Sequence, residues 1–235
     1  MQLNWPVSGH DKILNFLKTS FANNGLSQAY LFVGPVAVGK KNLAKYFITS
    51  LFCQNPEIKP CGKCFPCKAV ANNAHPDFIK VTRDPEKKQI SIEQIREVIN
   101  RLTRKPLTAQ RQVALIPEAE KISDEAGNAL LKTLEEPSGK SILILVSDQD
   151  NILNTVKSRC QIIRFHGVPT PEIEKSITAS APHALDLQAI QEIARLANGK
   201  IGWAHEMANG GWDDFKNSLY EELSLGEKSI GERFK

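Results

Sequence analysis

Five short apolar runs punctuate the chain: residues 29–33 (AYLFV), 78–81 (FIKV), 113–116 (VALI), 142–146 (ILILV) and 162–165 (IIRF). Each has the length of a buried strand. Between them the spacing of apolar positions turns helical. Residues 42–52 (NLAKYFITSLF) follow a glycine loop. Ser91 and Gln94 have capping-box spacing ahead of Ile92, Ile95, Ile99 and Leu102, which share one helical face. Residues 123–135 predict a further helix, stopped by Pro137. Strands alternating with helices predict an α/β fold, a mostly parallel five-stranded sheet with helices on both faces.

Past His166 the strand-like runs cease, and residues 171–179, 187–197 and 212–223 read as helices. This predicts two domains, an α/β core over residues 1–167 and a small all-helical domain over residues 168–235, which suits a length of 235 residues. With 41% hydrophobic and 24% charged residues, the composition is that of a globular protein. Residues 1–6 lack a basic stretch followed by an apolar run, and no segment approaches the roughly 18 apolar residues of a membrane helix, so a cytoplasmic location is expected. A net charge of +4 is too small to argue for nucleic-acid binding. Lys80, Lys87, Lys88, Arg101, Arg104, Lys105 and Arg111 crowd one third of the chain, and read as a solvated face.

Candidate chemistry begins at Gly34-Pro35-Val36-Ala37-Val38-Gly39-Lys40, which satisfies G-x-x-x-x-G-K between a strand and a helix. Such a loop turns backbone amides toward phosphate oxygens, and Lys40 is placed to reach the outer phosphates. The next position, where Ser or Thr holds magnesium, is Lys41, a cation that repels a metal. The apolar strand 113–116 is followed by Pro117 rather than a metal-binding Asp, although Glu118 stands where a water-activating acid belongs. Without a bridging metal the charge on the outer phosphates is unneutralised. No magnesium site and no intrinsic ATPase activity are expected, and nucleotide binding is left open.

Cys53, Cys61, Cys64 and Cys67 form C-x7-C-x2-C-x2-C, with Gly62 and Pro66 supplying turns. Four soft thiolates in a reducing compartment predict structural zinc rather than disulfides, with an iron–sulfur cluster or free thiols as the alternatives. Cys160 stands apart and reads as a small buried residue, and none of His10, His75, His166, His183 or His205 is assigned to metal or catalysis.

The glycine loop, the cysteine cluster, the run Asn128-Ala129-Leu130-Leu131-Lys132-Thr133-Leu134-Glu135-Glu136-Pro137 and the triplet Ser158-Arg159-Cys160, in that order, resemble the bacterial AAA+ clamp-loader subunits. Within that family the delta-prime branch, with its degenerate phosphate loop and persistent SRC arginine, is the most similar. The resemblance implies an AAA+ fold with a zinc-binding insertion and a helical lid. It implies that Arg159 reaches in trans into the ATP site of a neighbouring motor subunit. The alternative for Arg159 is a structural salt bridge. Partners implied are the gamma/tau and delta subunits, the sliding clamp and primer–template DNA. Ser147 falls in the first sensor region, and Trp203 stands where the lid would carry an ATP-contacting arginine. Family members typically add a helical collar domain, which is not expected within this sequence. Two other readings stay open: an active ATPase motor subunit of the same loader, and a zinc-dependent DNA-binding module.

Overall fold

The computed structural model describes residues 1–136, 140–180 and 185–218; Pro137, His183 and the end of the helix expected over residues 212–223 lie outside them. The chain divides into two compact units, Met1–His166 and Gly167–Lys235. In the first unit the elements run β1 (Gln2–Leu3), α1 (Asp11–Ala22), β2 (Ala29–Val33), α2 (Lys40–Phe52), β3 (Ile58–Lys59), α3 (Phe65–Ala71), β4 (Phe78–Lys80), α4 (Ile92–Leu102), β5 (Gln112–Ile116), α5 (Asp124–Glu135), β6 (Ser141–Ser147), α6 (Asn154–Lys157) and β7 (Gln161–Arg164). Five strands form one parallel sheet in the order β4-β5-β6-β2-β7, and β1 pairs with β3 in a separate parallel ribbon.

Every residue of β2, β5 and β6 is buried, because helices cover both faces of the sheet. Alternation along the strands divides their side chains. Tyr30, Phe32, Val113, Leu115, Ile142 and Ile144 pack with Leu14 and Leu17 of α1 and Leu43, Phe47 and Ile48 of α2. Leu31, Val33, Ala114, Ile116, Leu143 and Leu145 pack with Ile95, Val98 and Leu102 of α4 and Leu130 of α5. The capping box at α4 is formed, Gln94 Oε1 accepting from the Ser91 amide at 3.2 Å. Helix α5 ends at Glu135.

A buried carboxylate organises the connection between α4 and β5. Asp77 is fully buried and accepts from the amides of Leu107, Thr108 and Ala109 at 2.6, 2.8 and 2.8 Å, and from the Thr108 hydroxyl at 2.9 Å. Burial pushes its pKa up, but the three amides and the hydroxyl together outweigh that, so the net shift is downward. A carboxylate whose folded pKa is depressed stabilises the fold above its unfolded pKa and loses that contribution as pH falls through the folded value. Asp77→Ala is therefore expected to cost on the order of 2–4 kcal/mol near pH 7 by urea unfolding, with the difference from wild type shrinking below the ordinary carboxylate range. An unchanged gap at low pH would contradict the assignment.

In the second unit α7 (Thr170–Ser180), α8 (Leu187–Leu196) and α9 (Ile201–Glu206) lead into a wide turn over Met207–Gly211, and residues 212–218 are helical. Ile173, Ile177, Ile190, Ile193, Ile201 and Trp212 form its core. Gly199 has φ 83°, and a Cβ there would lie 2.7 Å from the Gly167 Cα, so the two backbones touch because residue 199 is glycine. No strand occurs among the described residues of this unit, and no helix of the described chain is long and apolar enough to cross a membrane.

Candidate functional site

The glycine loop leaves the C-terminal end of β2 and enters α2 at Lys40, with Gly39 as the N-cap at φ 105° and Ala37 at φ 60°. Gly34 has no room for a side chain: a Cβ would lie 2.3 Å from the Phe165 carbonyl oxygen. His10 ties down the far side, its Nε2 donating to the Val38 carbonyl at 2.8 Å while its ring meets Phe165 edge-on at 4.9 Å. Lys40 is 2% exposed. Its ammonium donates to the Gly34 carbonyl at 2.6 Å and to the Pro35 carbonyl, and pairs with Asp148 at 2.8 Å. These three partners use all three of its N–H donors, so a phosphate must displace at least one of them.

Around the loop, the positions that would hold a metal are occupied as the sequence implies. Lys41 sits exposed in the first turn of α2, and Pro117 follows β5 directly. Glu118 is paired with Arg83 Nε at 3.4 Å. Ser147, at the end of β6, is fully buried, and its hydroxyl donates to the Gln149 carbonyl at 2.5 Å and accepts from the Gln149 amide at 3.3 Å. Its hydroxyl is thus spent on its own turn, and the neighbouring Asp148 meets the loop lysine instead. Trp203, in the second unit, packs edge-on against Phe215 at 5.4 Å and contributes to that unit's core.

Cys53, at the C-cap of α2, and Cys61, Cys64 and Cys67 bring their sulfurs within 4.8 Å of one another. The Cys61–Cys67 and Cys53–Cys64 sulfur pairs are each 4.0 Å apart, against about 3.8 Å for the edge of a tetrahedron with metal–sulfur bonds of ~2.3 Å. The Cys61 amide donates to Cys53 Sγ and the Cys64 amide to Cys61 Sγ, both at 3.4 Å. Amides of Cys64 and Lys63 pull the Cys61 thiol down to about 6, whereas burial pushes Cys53 and Cys67 up. A cation is what would let the two buried thiols ionise together with the two half-buried ones. The four could hold a metal ion, and they form the one such group found among the described residues.

Arg159 lies after α6 and two residues before β7. Its Nε and Nη2 both donate to Glu135 Oε1, the former at 2.9 Å, and Nη1 donates to the Thr155 carbonyl at 2.9 Å and the Ser158 hydroxyl at 3.3 Å. The salt bridge weighed as the alternative for Arg159 is therefore present, joining it to the last residue of α5. Arg159 also borders a cleft of about 500 Å³ with Gln28 and Ala29, at the N-terminal end of the sheet. Parallel pairing puts Tyr30 opposite Gln161, so residue 159 stands at the level of Gln28. From there to Gly34 is about 20 Å, at ~3.3 Å per residue. Cys160 is half-buried rather than buried, its thiol raised to about 12 by desolvation.

Sequence reasoning passed over Asp148, His10, Asp77 and Glu135. Each acts through a partner distant in sequence, and only Glu135 lay inside a motif already quoted.

A family model described as "DNA polymerase III, delta subunit" matches residues 9–169. DNA polymerase III subunit delta' of Pseudomonas aeruginosa is 34% identical over 74% of this chain and 53% of its own length. The Bacillus subtilis delta' subunit is 30% identical over 97% of this chain and 68% of its own, and the subunit tau of the same organism 29% identical over 93% and 37%. The chain thus spans about half to two thirds of the length of the delta' relatives. Among solved structures, a gamma subunit-related protein of Thermotoga maritima aligns with TM-score 0.51 at 19% identity, over 86% of this chain and 62% of that one. A RuvB variant of the same organism aligns with TM-score 0.55 at 18% identity, over 87% and 61%, and both likenesses speak for the fold alone. The match over residues 9–169 covers more than half of the sequence and includes the glycine loop, the four cysteines and Arg159, and by it this chain belongs to the delta-prime clamp-loader family of DNA polymerase III.

Proposed function

We propose that the chain is the stator, or delta-prime, subunit of a clamp loader that places the sliding clamp on primed DNA. In this reading its own ATP site is degenerate and Arg159 serves the ATP held by a neighbouring gamma/tau subunit. The observation that carries it is the separation of parts: Arg159 stands at the N-terminal end of the sheet, about 20 Å from the chain's own phosphate loop. Whatever phosphate it meets belongs to another chain. The loop itself has Lys41 and Pro117 in the two metal positions, and Lys40 engaged with Asp148.

Residues 1–167 act in this reading as the AAA+ core and residues 168–235 as the lid, where Trp203 supplies packing rather than a cation for a triphosphate. The four cysteines take zinc. Four protein ligands leave no open coordination position, so the metal's contribution is to hold Cys53 at the end of α2 to the segment carrying Cys61, Cys64 and Cys67. The remaining partners are the delta subunit, the clamp and primer–template DNA.

The purified chain is expected to show no magnesium-dependent ATP hydrolysis above that of its Lys40→Ala variant. Hydrolysis that needs magnesium and disappears with Lys40 would make it a motor subunit and end the stator reading.

A further inference from the structure

Adjoining the phosphate loop, and sharing Lys41, Pro117 and Glu118 with its metal end, lies a cleft of about 340 Å³ on the sheet face that α2 covers. Its wall on α2 carries Lys41 and Lys45, four residues apart and so on one face of the helix. Across from them Lys80, in β4, and Arg83 line the opposite wall. Phe78 and Leu115 contribute the apolar floor. Four cations face one carboxylate, Glu118, a net of three positive charges around a space the size of a small ligand.

The three lysines are little used by the protein itself. Among the described residues Lys41, Lys45 and Lys80 make no ion pair. Arg83 Nη1 donates to the Asp84 and Lys87 carbonyls and its Nε reaches Glu118 at 3.4 Å, but that buried Nε lacks a hydrogen-bond acceptor, the one such side-chain atom among the described residues. A divalent metal is repelled from this lining, whereas an anion is drawn to it. Phe78 and Leu115 add a surface on which a flat organic group can lie. The dimensions limit the ligand to about the size of a nucleoside mono- or diphosphate.

We infer that the cleft between α2 and β4 binds a phosphate monoester or pyrophosphate group without a metal, through Lys41, Lys45, Lys80 and Arg83. Part of the crowd of basic residues in the middle of the chain thereby has a use beyond solvation. The inference does not depend on Arg159 or on the stator reading. Two sources offer the same chemistry: a free nucleotide, or the 5′-phosphate at the end of a DNA strand.

The test is a titration of the full chain in magnesium-free buffer without chelator, which leaves the cysteine site intact, followed by calorimetry, with ADP, inorganic pyrophosphate, and a short oligonucleotide with and without its 5′-phosphate. Two variants separate the sites: Lys45→Glu with Lys80→Glu reverses charge in the cleft alone, and Lys40→Ala empties the phosphate loop alone. Binding is expected to need no added magnesium, to persist in Lys40→Ala, to weaken at least tenfold in the double charge reversal, and to weaken with added salt. The milder pair Lys45→Gln with Lys80→Gln, checked by thermal melting against wild type, guards against misfolding and is expected to weaken binding less. Preference for ADP or for the 5′-phosphorylated strand identifies the source, and either one supports the site. Binding that vanishes with Lys40→Ala and ignores Lys45 and Lys80 overturns it, as does absence of binding for all probes.

Discussion

With Arg159 changed to alanine, ATP turnover by neighbouring gamma/tau subunits in the assembled loader is expected to fall roughly 10³- to 10⁵-fold, with the complex still forming. The size follows from what a trans arginine supplies, a fixed delocalised charge against the negative charge that develops on the transferred phosphoryl group. Glu135 already holds that guanidinium, and magnitudes decide whether this matters. The pair is partly exposed, Arg159 at 32% and Glu135 at 50%, and such pairs are worth about 0–1 kcal/mol, less than a tenfold loss of availability. That is small beside the catalytic effect. Releasing the arginine with Glu135→Gln is thus expected to change turnover by less than tenfold, while Arg159→Lys, which keeps the charge but loses the fork, falls most of the way to alanine. If Arg159→Ala left turnover intact in an assembled complex, the salt bridge to Glu135 would be the whole of that residue's role.

The sheet was legible because its strands are covered on both faces and so read as unbroken apolar runs: all five runs became strands, in a parallel order that alternating helices imply. The helix α1 went unread, although Leu14, Leu17 and Phe21 have helical spacing, because His10 gives no capping signal and Phe16 and Ile13 blur the face. The ribbon of β1 and β3 is two residues per strand and carries no periodicity to detect. In the site, spacing alone found the four cysteines and the glycine loop, since each is a local motif. What spacing could not find were polar groups whose partners arrive through the fold. Asp77 meets amides thirty or more residues on, Asp148 meets Lys40 across two strand ends, and Glu135 meets Arg159 from a different helix. Lys80 reads in the sequence as solvated surface, and the fold brings it to one cleft with Lys41 and Lys45 of α2.

Removing the metal is expected to give the second large effect, and to be local. Structural zinc sites contribute roughly 10–16 kcal/mol to folding in isolated peptides, where no other core exists. Here the cysteines hang from a sheet with its own apolar core, so the loss is confined to what the metal alone orders. Cys53 closes α2, Cys64 caps α3, and β3 between them pairs with β1, placing Gln2 opposite Ile58. Chelation, or Cys61→Ser combined with Cys64→Ser, is expected to release one zinc per chain and to lower amide protection across residues 53–72 and residues 2–4 by more than about 10³-fold. Protection in β2, β5 and β6 should hold, because those strands bury their side chains mainly against α1, α2, α4 and α5, the cysteine module adding Val70 alone to the buried residues of that core. The chain as isolated should contain zinc at one equivalent, and iron in its place would give visible absorbance. Uniform loss of protection through the sheet would mean that the module supports the whole first unit. No loss at all, in protein shown to carry no metal, would mean that the four thiols pack adequately without one.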